Sequence, residues 1–175
     1  SIMLFDINKN IRFTVSDNRS SILKNLDKRF KYAGIRKYTS FVADLTTNKY
    51  QINKSFNLII ADVPCTGSGT WARTPEQLYF FTPEKIDEYV ERQKMILFNV
   101  IPHLEDNGYL VYITCSVFKA ENEGIVDFIA QNYGLNVVTQ QLLTGYDKLA
   151  DTMFIAVLKS LPNPPKEGTG TKKML

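Results

Sequence analysis

A chain of 175 residues is long enough to bury a substantial core, and 44% hydrophobic against 22% charged residues indicates a globular protein rather than a disordered one. The formal net charge of +3 is compatible with an anionic partner such as RNA. No apolar run reaches the ~18 residues of a membrane span, and no signal-peptide pattern opens the chain. Two cysteines and one histidine exclude a disulfide framework and a structural zinc site, so we expect a metal-free protein of the reducing cytoplasm.

The first part of the chain alternates strand and helix patterns. Residues 1–5 resemble the inside of a helix, and the alternation over 11–16 predicts a strand that stops at Asp17. Apolar residues at a spacing of three or four predict a helix over 19–33. The next predicted strand covers 38–43 and is again followed by an acid, Asp44.

Two apolar runs in the second part of the chain end near the two cysteines. Residues 57–63 predict a strand buried on both faces, shortly before Cys65, and residues 109–116 predict a second buried strand with Cys115 at its carboxyl end. The other predicted elements are a long helix that begins at Thr82-Pro83, a helix over about 119–133 ended by Gly134, and strands over 135–139 and 152–159.

Strands that alternate with helices predict an α/β fold with a mostly parallel, doubly wound sheet and helices on both faces. The last two strands have no helix between them and predict an antiparallel edge. We expect residues 1–160 to form one domain. The tail over 161–175 is rich in Pro, Gly, Thr and Lys without periodicity, and we expect it to be disordered.

Asp17 and Asp44 each follow a predicted strand at the edge where ligands of open α/β sheets bind. In nucleotide-binding folds an acid at this place accepts hydrogen bonds from ribose hydroxyls. The alternative for a single acid is an Asx turn or a helix N-cap, and two acids after successive strands make that alternative weaker. No Gly-rich phosphate loop precedes Asp17, and the Gly-rich loop over 67–69 follows the third strand.

Both cysteines are predicted at strand ends, each beside a hydroxyl residue. Pro64 restricts the backbone between Asp62 and Cys65, which holds these two side chains at a set angle. A single cysteine is more often a small buried hydrophobe. A cysteine near a helix N-terminus or a cation has a lowered pKa and acts as a nucleophile. The repeated arrangement at Cys65 and Cys115 favours function.

Two motifs resemble one enzyme family. Residues 62–70, Asp-Val-Pro-Cys-Thr-Gly-Ser-Gly-Thr, with Arg73 and Pro75 downstream, resemble motif IV of the Sun/Fmu (NOL-NOP-Sun) RNA cytosine-5 methyltransferases. Residues 114–117, Thr-Cys-Ser-Val, followed by Glu-Asn-Glu at 121–123, resemble motif VI. The resemblance covers about residues 1–159 and implies a Rossmann-like S-adenosylmethionine-dependent methyltransferase fold that transfers a methyl group to carbon 5 of a cytosine in rRNA or tRNA.

The resemblance also implies residue roles. Cys115 would attack carbon 6 of the cytosine, and Cys65 would help to remove the ring proton and release the adduct. Because DNA cytosine-5 methyltransferases use a cysteine that follows proline as the nucleophile, the residues alone leave the reverse assignment open. The expected site comprises catalytic Cys115, Cys65 and Asp62; cofactor-binding Asp17, Asp44, Asp62 and Pro64; and substrate-binding Arg73, Thr114 and Ser116.

The front of the chain departs from the family. A Gly-rich loop that holds the methionine end of the cofactor would precede Ser1, together with the first strand of the sheet, and we therefore expect an N-terminally truncated catalytic domain. The alternative is a non-catalytic RNA-binding remnant or an inactive fragment. A thiol redox protein is disfavoured because the cysteines are far apart in sequence and form no C-x-x-C motif.

Overall fold

The computed structural model describes residues 1–47, 49–50 and 52–162, and the segment expected to be disordered lies outside the described residues from position 163 onward. The chain divides into two compact units, of which the first is Ser1–Gln51 and the second begins at Ile52. Among the described residues no helix combines the length and the apolar character that crossing a membrane requires.

The first unit consists of two parallel strands and two helices. Strand β1 (Phe13–Asp17) pairs with β2 (Tyr38–Val42), so that Asp17 stands opposite Val42 at the carboxyl ends of both strands. Between them in sequence lies helix α2 (Ser20–Tyr32), and helix α1 (Ile2–Ile7) precedes β1. The predicted order of elements is confirmed in this unit.

Phe30 is the core residue that fastens α2 to the two strands. Its side chain is almost fully buried, and its ring centroid lies 5.6 Å from that of Phe13 on β1 and 4.9 Å from that of Tyr38 on β2. The helix ends as predicted at Gly34, whose φ of 74° lies in the left-handed region that glycine adopts without strain. Phe30 therefore packs the helix against both strands of this unit.

The second unit is built on a four-stranded sheet in the order β3-β4-β6-β5. Strands β3 and β4 are parallel, whereas β6 runs antiparallel to both β4 and β5, which confirms the predicted antiparallel edge. The elements are β3 (Phe56–Asp62), α3 (Glu76–Tyr79), α4 (Glu84–Val100), β4 (Leu104–Thr114), α5 (Glu123–Tyr133), β5 (Asn136–Leu143) and β6 (Met153–Lys159).

The prediction that the strand over 57–63 is buried on both faces is wrong. Leu58 and Ile60 on β3 are 37% and 44% exposed, while Ala61 is buried. The reason is that β3 packs on one face only: the face that carries Ile59 and Ala61 lies against the core of this unit, and the side chains of Leu58 and Ile60 point to the other face.

The structure also changes predicted boundaries. Strand β4 begins at Leu104 rather than at 109, because a bulge between the partners of Phe56 and Leu58 accommodates residues 105–108. Within this bulge Asn107 has a φ of 62°, a left-handed conformation that asparagine tolerates better than most residues. The helix predicted over 119–133 is divided into a short 3-10 helix, Lys119–Glu121, and α5.

The core of the second unit lies between helices α4 and α5 and the sheet. Leu97 on α4 and Ile129 on α5 are fully buried, as are Leu110 on β4 and Leu158 on β6. Gln93 on α4 is also fully buried, although it is polar. A buried amide must be hydrogen-bonded, and the partners of Gln93 lie at the carboxyl ends of β3 and β4.

We expect Leu97→Ala to lower the free energy of unfolding by about 3 kcal/mol, since it removes a fully buried side chain and leaves a cavity. Phe98→Ala is the matched control, because its ring is 68% exposed on the same helix. We expect the control to stay within about 0.5 kcal/mol of the parent chain. Urea denaturation measures both, and equal losses would contradict the described packing of α4.

Candidate active site

The parallel pair β3 and β4 brings the two cysteines together. Both strands end at the same edge of the sheet, with Cys115 directly after β4 and Cys65 in the loop after β3. Their Sγ atoms lie 3.3 Å apart although the residues are 50 positions apart in sequence, and both thiols are free. Separation in sequence is therefore no argument against redox chemistry here.

The two thiols have opposite pKa shifts. A hydrogen bond from the Cys65 thiol lowers the pKa of Cys115 to about 7, although partial burial and the negative charge of Asp62 act in the other direction. The same hydrogen bond, together with burial, raises the pKa of Cys65 above its ordinary value. A substantial fraction of Cys115 is thus thiolate at neutral pH, while Cys65 stays protonated.

Asp62 and Pro64 connect the end of β3 to this pair. Desolvation raises the pKa of the Asp62 carboxyl, although the residue keeps contact with solvent. The carbonyl of Pro64 accepts a hydrogen bond of 3.0 Å from Nε2 of Gln93 on α4. This hydrogen bond therefore fixes Pro64, the residue before Cys65, to the buried side chain of Gln93 on α4.

A buried carboxylate, Glu121, joins the two cysteine segments. Its Oε1 accepts the backbone N–H of Thr66 at 2.8 Å, and its Oε2 accepts the hydroxyls of Thr66 at 2.6 Å and Ser116 at 2.5 Å. Glu121 is fully buried, so these donors replace water around its charge. Thr66 follows Cys65 and Ser116 follows Cys115. One side chain therefore contacts the residues next to both thiols.

Thr114 and Ser116, predicted to contact the substrate, are fully buried. The Thr114 hydroxyl donates to Oδ1 of Asn122 at 2.6 Å, and Nδ2 of Asn122 donates to the carbonyl of Ser116 at 2.9 Å. Both hydroxyl residues therefore take part in internal hydrogen bonds that shape the Cys115 loop. Their contact with a substrate stays a prediction.

Gly69 connects the Gly-rich loop to the Cys115 segment through backbone hydrogen bonds. Its N–H donates to the carbonyl of Cys115 at 2.8 Å, and its carbonyl accepts the N–H of Thr152 at 3.0 Å. A Cβ at this position would lie 2.0 Å from the Thr152 carbonyl oxygen and 2.9 Å from that of Cys115. Close approach of three backbone segments is therefore the reason that glycine is required here.

Arg73, also predicted to contact the substrate, forms a two-point ion pair with Asp151. Its Nε lies 3.2 Å from Oδ1, and its Nη2 lies 2.9 Å from Oδ2. The guanidinium holds the pKa of the Asp151 carboxyl below its ordinary value, and the Asp151 charge raises the pKa of Cys115. The ion pair is largely exposed, which leaves Arg73 accessible from solvent.

The two predicted cofactor acids of the first unit occupy the carboxyl edge of β1 and β2. Oδ1 of Asp17 accepts the N–H of Arg19 at 2.8 Å, and Oδ1 of Asp44 accepts the N–H of Thr46 at 3.0 Å. Each acid thus forms the local Asx turn that was weighed as the alternative. The turns fix the orientation of both carboxylates at this edge, and their contact with a cofactor stays a prediction.

Sequence reasoning missed the residues that support the thiol pair. Glu121 was noticed only as part of a motif, and neither Thr66 nor Asp151 was expected in the site. The Gly-rich loop over 67–69 was the one signal that pointed to a close backbone approach at Gly69. Within residues 1–47, 49–50 and 52–162, no three or more side chains of His, Cys, Asp or Glu are grouped so that they could hold a metal ion.

Several solved structures share the fold of this chain. PH0851 superimposes with a TM-score of 0.80 at 25% identity, covering 90% of this chain and 39% of that one. NSun6 from Pyrococcus horikoshii, solved with SFG, superimposes with a TM-score of 0.75 at 22% identity, covering 86% of this chain and 41% of that one. The fold is the Rossmann-like α/β fold of S-adenosylmethionine-dependent methyltransferases, as predicted.

The family is established by sequence. A family model described as 16S rRNA methyltransferase RsmB/F matches residues 3–163, and the chain belongs to this family. Its cofactor is S-adenosylmethionine. Ribosomal RNA small subunit methyltransferase F of Shewanella sp. (strain ANA-3) is 31% identical over 94 residues, which are 54% of this chain and 20% of that protein. The chain spans about a fifth of the length of such curated relatives.

We expect Gly69→Ala to lower the free energy of unfolding by about 2 kcal/mol, because the added methyl group collides with backbone carbonyls that have little freedom to move. Gly124→Ala is the control, since its Cβ would lie 3.3 Å from the nearest atom, the Lys119 carbonyl oxygen, in a helix. Thermal unfolding compares the two. A control as damaging as Gly69→Ala would show that the close contacts are not the cause.

We expect Cys65→Ala to slow alkylation of Cys115 by iodoacetamide at pH 7 about tenfold, because the loss of the thiol donor returns the pKa of Cys115 toward that of a free cysteine, ~8.5. Cys65→Ser keeps a hydroxyl donor and should slow the reaction less. Rates measured between pH 6 and 10, with the labelled peptide identified by mass spectrometry, give the pKa in each variant. Identical profiles in all three proteins would contradict this origin of the shift.

Proposed function

We propose that this chain carries the catalytic centre of an RNA (cytosine-5) methyltransferase that uses S-adenosylmethionine and forms a covalent bond between Cys115 and the target cytosine. The observation that carries the proposal is the thiol pair at the carboxyl ends of β3 and β4, in which Cys115 has a pKa of about 7. The family description favours rRNA as the substrate, with tRNA as the alternative. We further propose residues 1–160 as the catalytic domain, active in the cytoplasm.

The proposed cofactor contacts fit the chemistry of their positions. Carboxylates at the ends of β1 and β2 suit the ribose hydroxyls and the adenine amine of a nucleoside, and we assign these contacts to Asp17 and Asp44. In the second unit we assign cofactor contacts to Asp62 and Pro64. When bound, S-adenosylmethionine supplies an electrophilic methyl group.

Carbon 5 of cytosine is too electron-poor to react unaided, so a nucleophile must first add to carbon 6. We assign this role to Cys115. The thiolate forms a bond to carbon 6, and the electrons of the carbon 5–carbon 6 double bond move into the ring, which makes carbon 5 nucleophilic. Asp62 lies at the same strand edge, and its raised pKa suits a carboxyl that hydrogen-bonds the cytosine edge as negative charge develops there.

Cys65 is the proposed residue for the end of the reaction. Once carbon 5 is methylated, its proton must leave so that the double bond returns and the bond between Cys115 and carbon 6 breaks. Cys65 lies within hydrogen-bonding distance of Cys115 and is protonated at neutral pH, so its thiol can donate a proton to the Cys115 sulfur as that sulfur leaves carbon 6 with the bonding electrons. The Cys65 thiolate that results can then take up the proton released from carbon 5. We assign a direct contact with the RNA to Arg73, whereas Thr114 and Ser116, which are fully buried, would act on the substrate by shaping the Cys115 loop.

The reaction with RNA that contains 5-fluorocytosine separates the two cysteines. Fluorine at carbon 5 cannot leave as a proton does, so the bond to the nucleophile persists and the protein migrates with the RNA on a denaturing gel. We expect Cys115→Ala to lose the adduct completely. We expect Cys65→Ala to retain it, and to accumulate an adduct with ordinary cytosine because release is blocked.

The opposite result, with adduct lost in Cys65→Ala and retained in Cys115→Ala, would reverse the roles of the two thiols. If the parent chain neither binds S-adenosylmethionine nor forms an adduct with any of these RNAs, a non-catalytic RNA-binding role would be favoured. A thiol redox function is supported by the distance of 3.3 Å between the sulfurs. Turnover of a dithiol substrate without any methyl transfer would distinguish it.

A further inference from the structure

We propose that Glu121 is a positioning residue whose carboxylate holds Cys65 and Cys115 at hydrogen-bonding distance from each other. The cysteines lie on separate loops, and neither strand by itself determines the distance between their side chains. Glu121 contacts the residue after each cysteine, Thr66 and Ser116. It is therefore a direct bridge between the two loops.

The bridge is asymmetric in a way that suits positioning. Thr66 is bound twice, through its N–H to Oε1 and through its hydroxyl to Oε2, so that both carboxylate oxygens fix the backbone next to Cys65. Ser116 donates to Oε2 and accepts the N–H of Phe118 at 3.0 Å, which orients its hydroxyl and the loop after Cys115. Hydrogen bonds to a charged group are the short, strong class.

Glu121 is itself held in place. Nε2 of Gln93 lies 3.4 Å from Oε1 and also donates to the Pro64 carbonyl, while the Tyr112 hydroxyl donates to the Glu121 carbonyl at 2.6 Å. Gln93 and Tyr112 are fully buried on α4 and β4. The carboxylate is thus anchored to the core of the second unit. Because its own position is fixed, its hydrogen bonds restrict the positions of both loops.

The direction in which the pKa of Cys115 changes when Glu121 loses its charge distinguishes a positioning role from a purely electrostatic one. The charged groups that act on Cys115 besides its thiol partner are Asp62, Asp151 and Arg73. Removing a negative charge from the neighbourhood would, by electrostatics alone, stabilise the thiolate and lower the pKa of Cys115. Loss of positioning lengthens the contact between the sulfurs, removes the thiol donor and raises that pKa.

The test is alkylation of Cys115 in Glu121→Gln, which keeps the shape of the side chain and one acceptor oxygen. We expect the pKa of Cys115 to rise toward the ~8.5 of a free cysteine, and alkylation at pH 7 to slow about tenfold while rates at pH 10 converge with those of the parent chain. The readout is independent of methyl transfer, so it stands even if the proposed function fails.

Glu88→Gln is the control, because it removes the same charge from an exposed position on α4 and should leave the profile unchanged. Near-ultraviolet circular dichroism establishes that Glu121→Gln is folded. If that variant does not fold, Thr66→Val decides, since it loses one of the two Thr66 bonds to Glu121, and we expect alkylation about threefold slower at pH 7. An unchanged or lowered pKa of Cys115 in the folded variant overturns the proposal.

Discussion

The buried charge of Glu121 must be surrounded by hydrogen-bond donors, and this requirement organises the carboxyl ends of β3 and β4. Withdrawing a carboxylate from water is unfavourable by several kcal/mol unless such donors replace the solvent. The chain supplies the donors from Thr66, Ser116 and Gln93, which belong to three different segments. Satisfying one charge therefore brings a loop, a strand end and a helix into a single arrangement, and the cysteines occupy their positions as a result.

The thiol pair shows how two chemically identical groups acquire different properties. A hydrogen bond between them can have only one donor, so whichever sulfur donates is stabilised as the thiol and the other as the thiolate. Here Cys65 donates and Cys115 accepts. No histidine or helix N-terminus is involved in the shifts described for these thiols. A hydrogen bond between two identical groups is therefore sufficient to give them different pKa values. Pairs of titratable groups with separated pKa values are a recurrent feature of acid–base sites.

The sequence predicted the meeting of the cysteines but not the environment that supports it. Parallel strands end at a common edge, so two apolar runs that each end near a cysteine predict convergence. The exposure of Leu58 could not be predicted, because a continuous apolar run does not reveal that only one face of the strand is covered. The left-handed Asn107 is compatible with a turn and with a bulge alike. Glu121 was recognised only as part of a motif, and its burial could not be predicted because it depends on Thr66, which is 55 residues away.

The place of β6 in the sheet has a kinetic consequence. Among the described strands β5 pairs only with β6, and β6 separates it from β4, so β5 cannot join the pair formed by β3 and β4 until residues 153–159 have been synthesised. Thr152 and Asp151, which contact Gly69 and Arg73, lie just before that strand. Non-local pairing of this kind is slow, and chains emerge from the ribosome from the N-terminus at about 5–20 residues per second. Gly69 and Arg73, in the loop after β3, are thus synthesised well before Thr152 and Asp151, the residues that they contact.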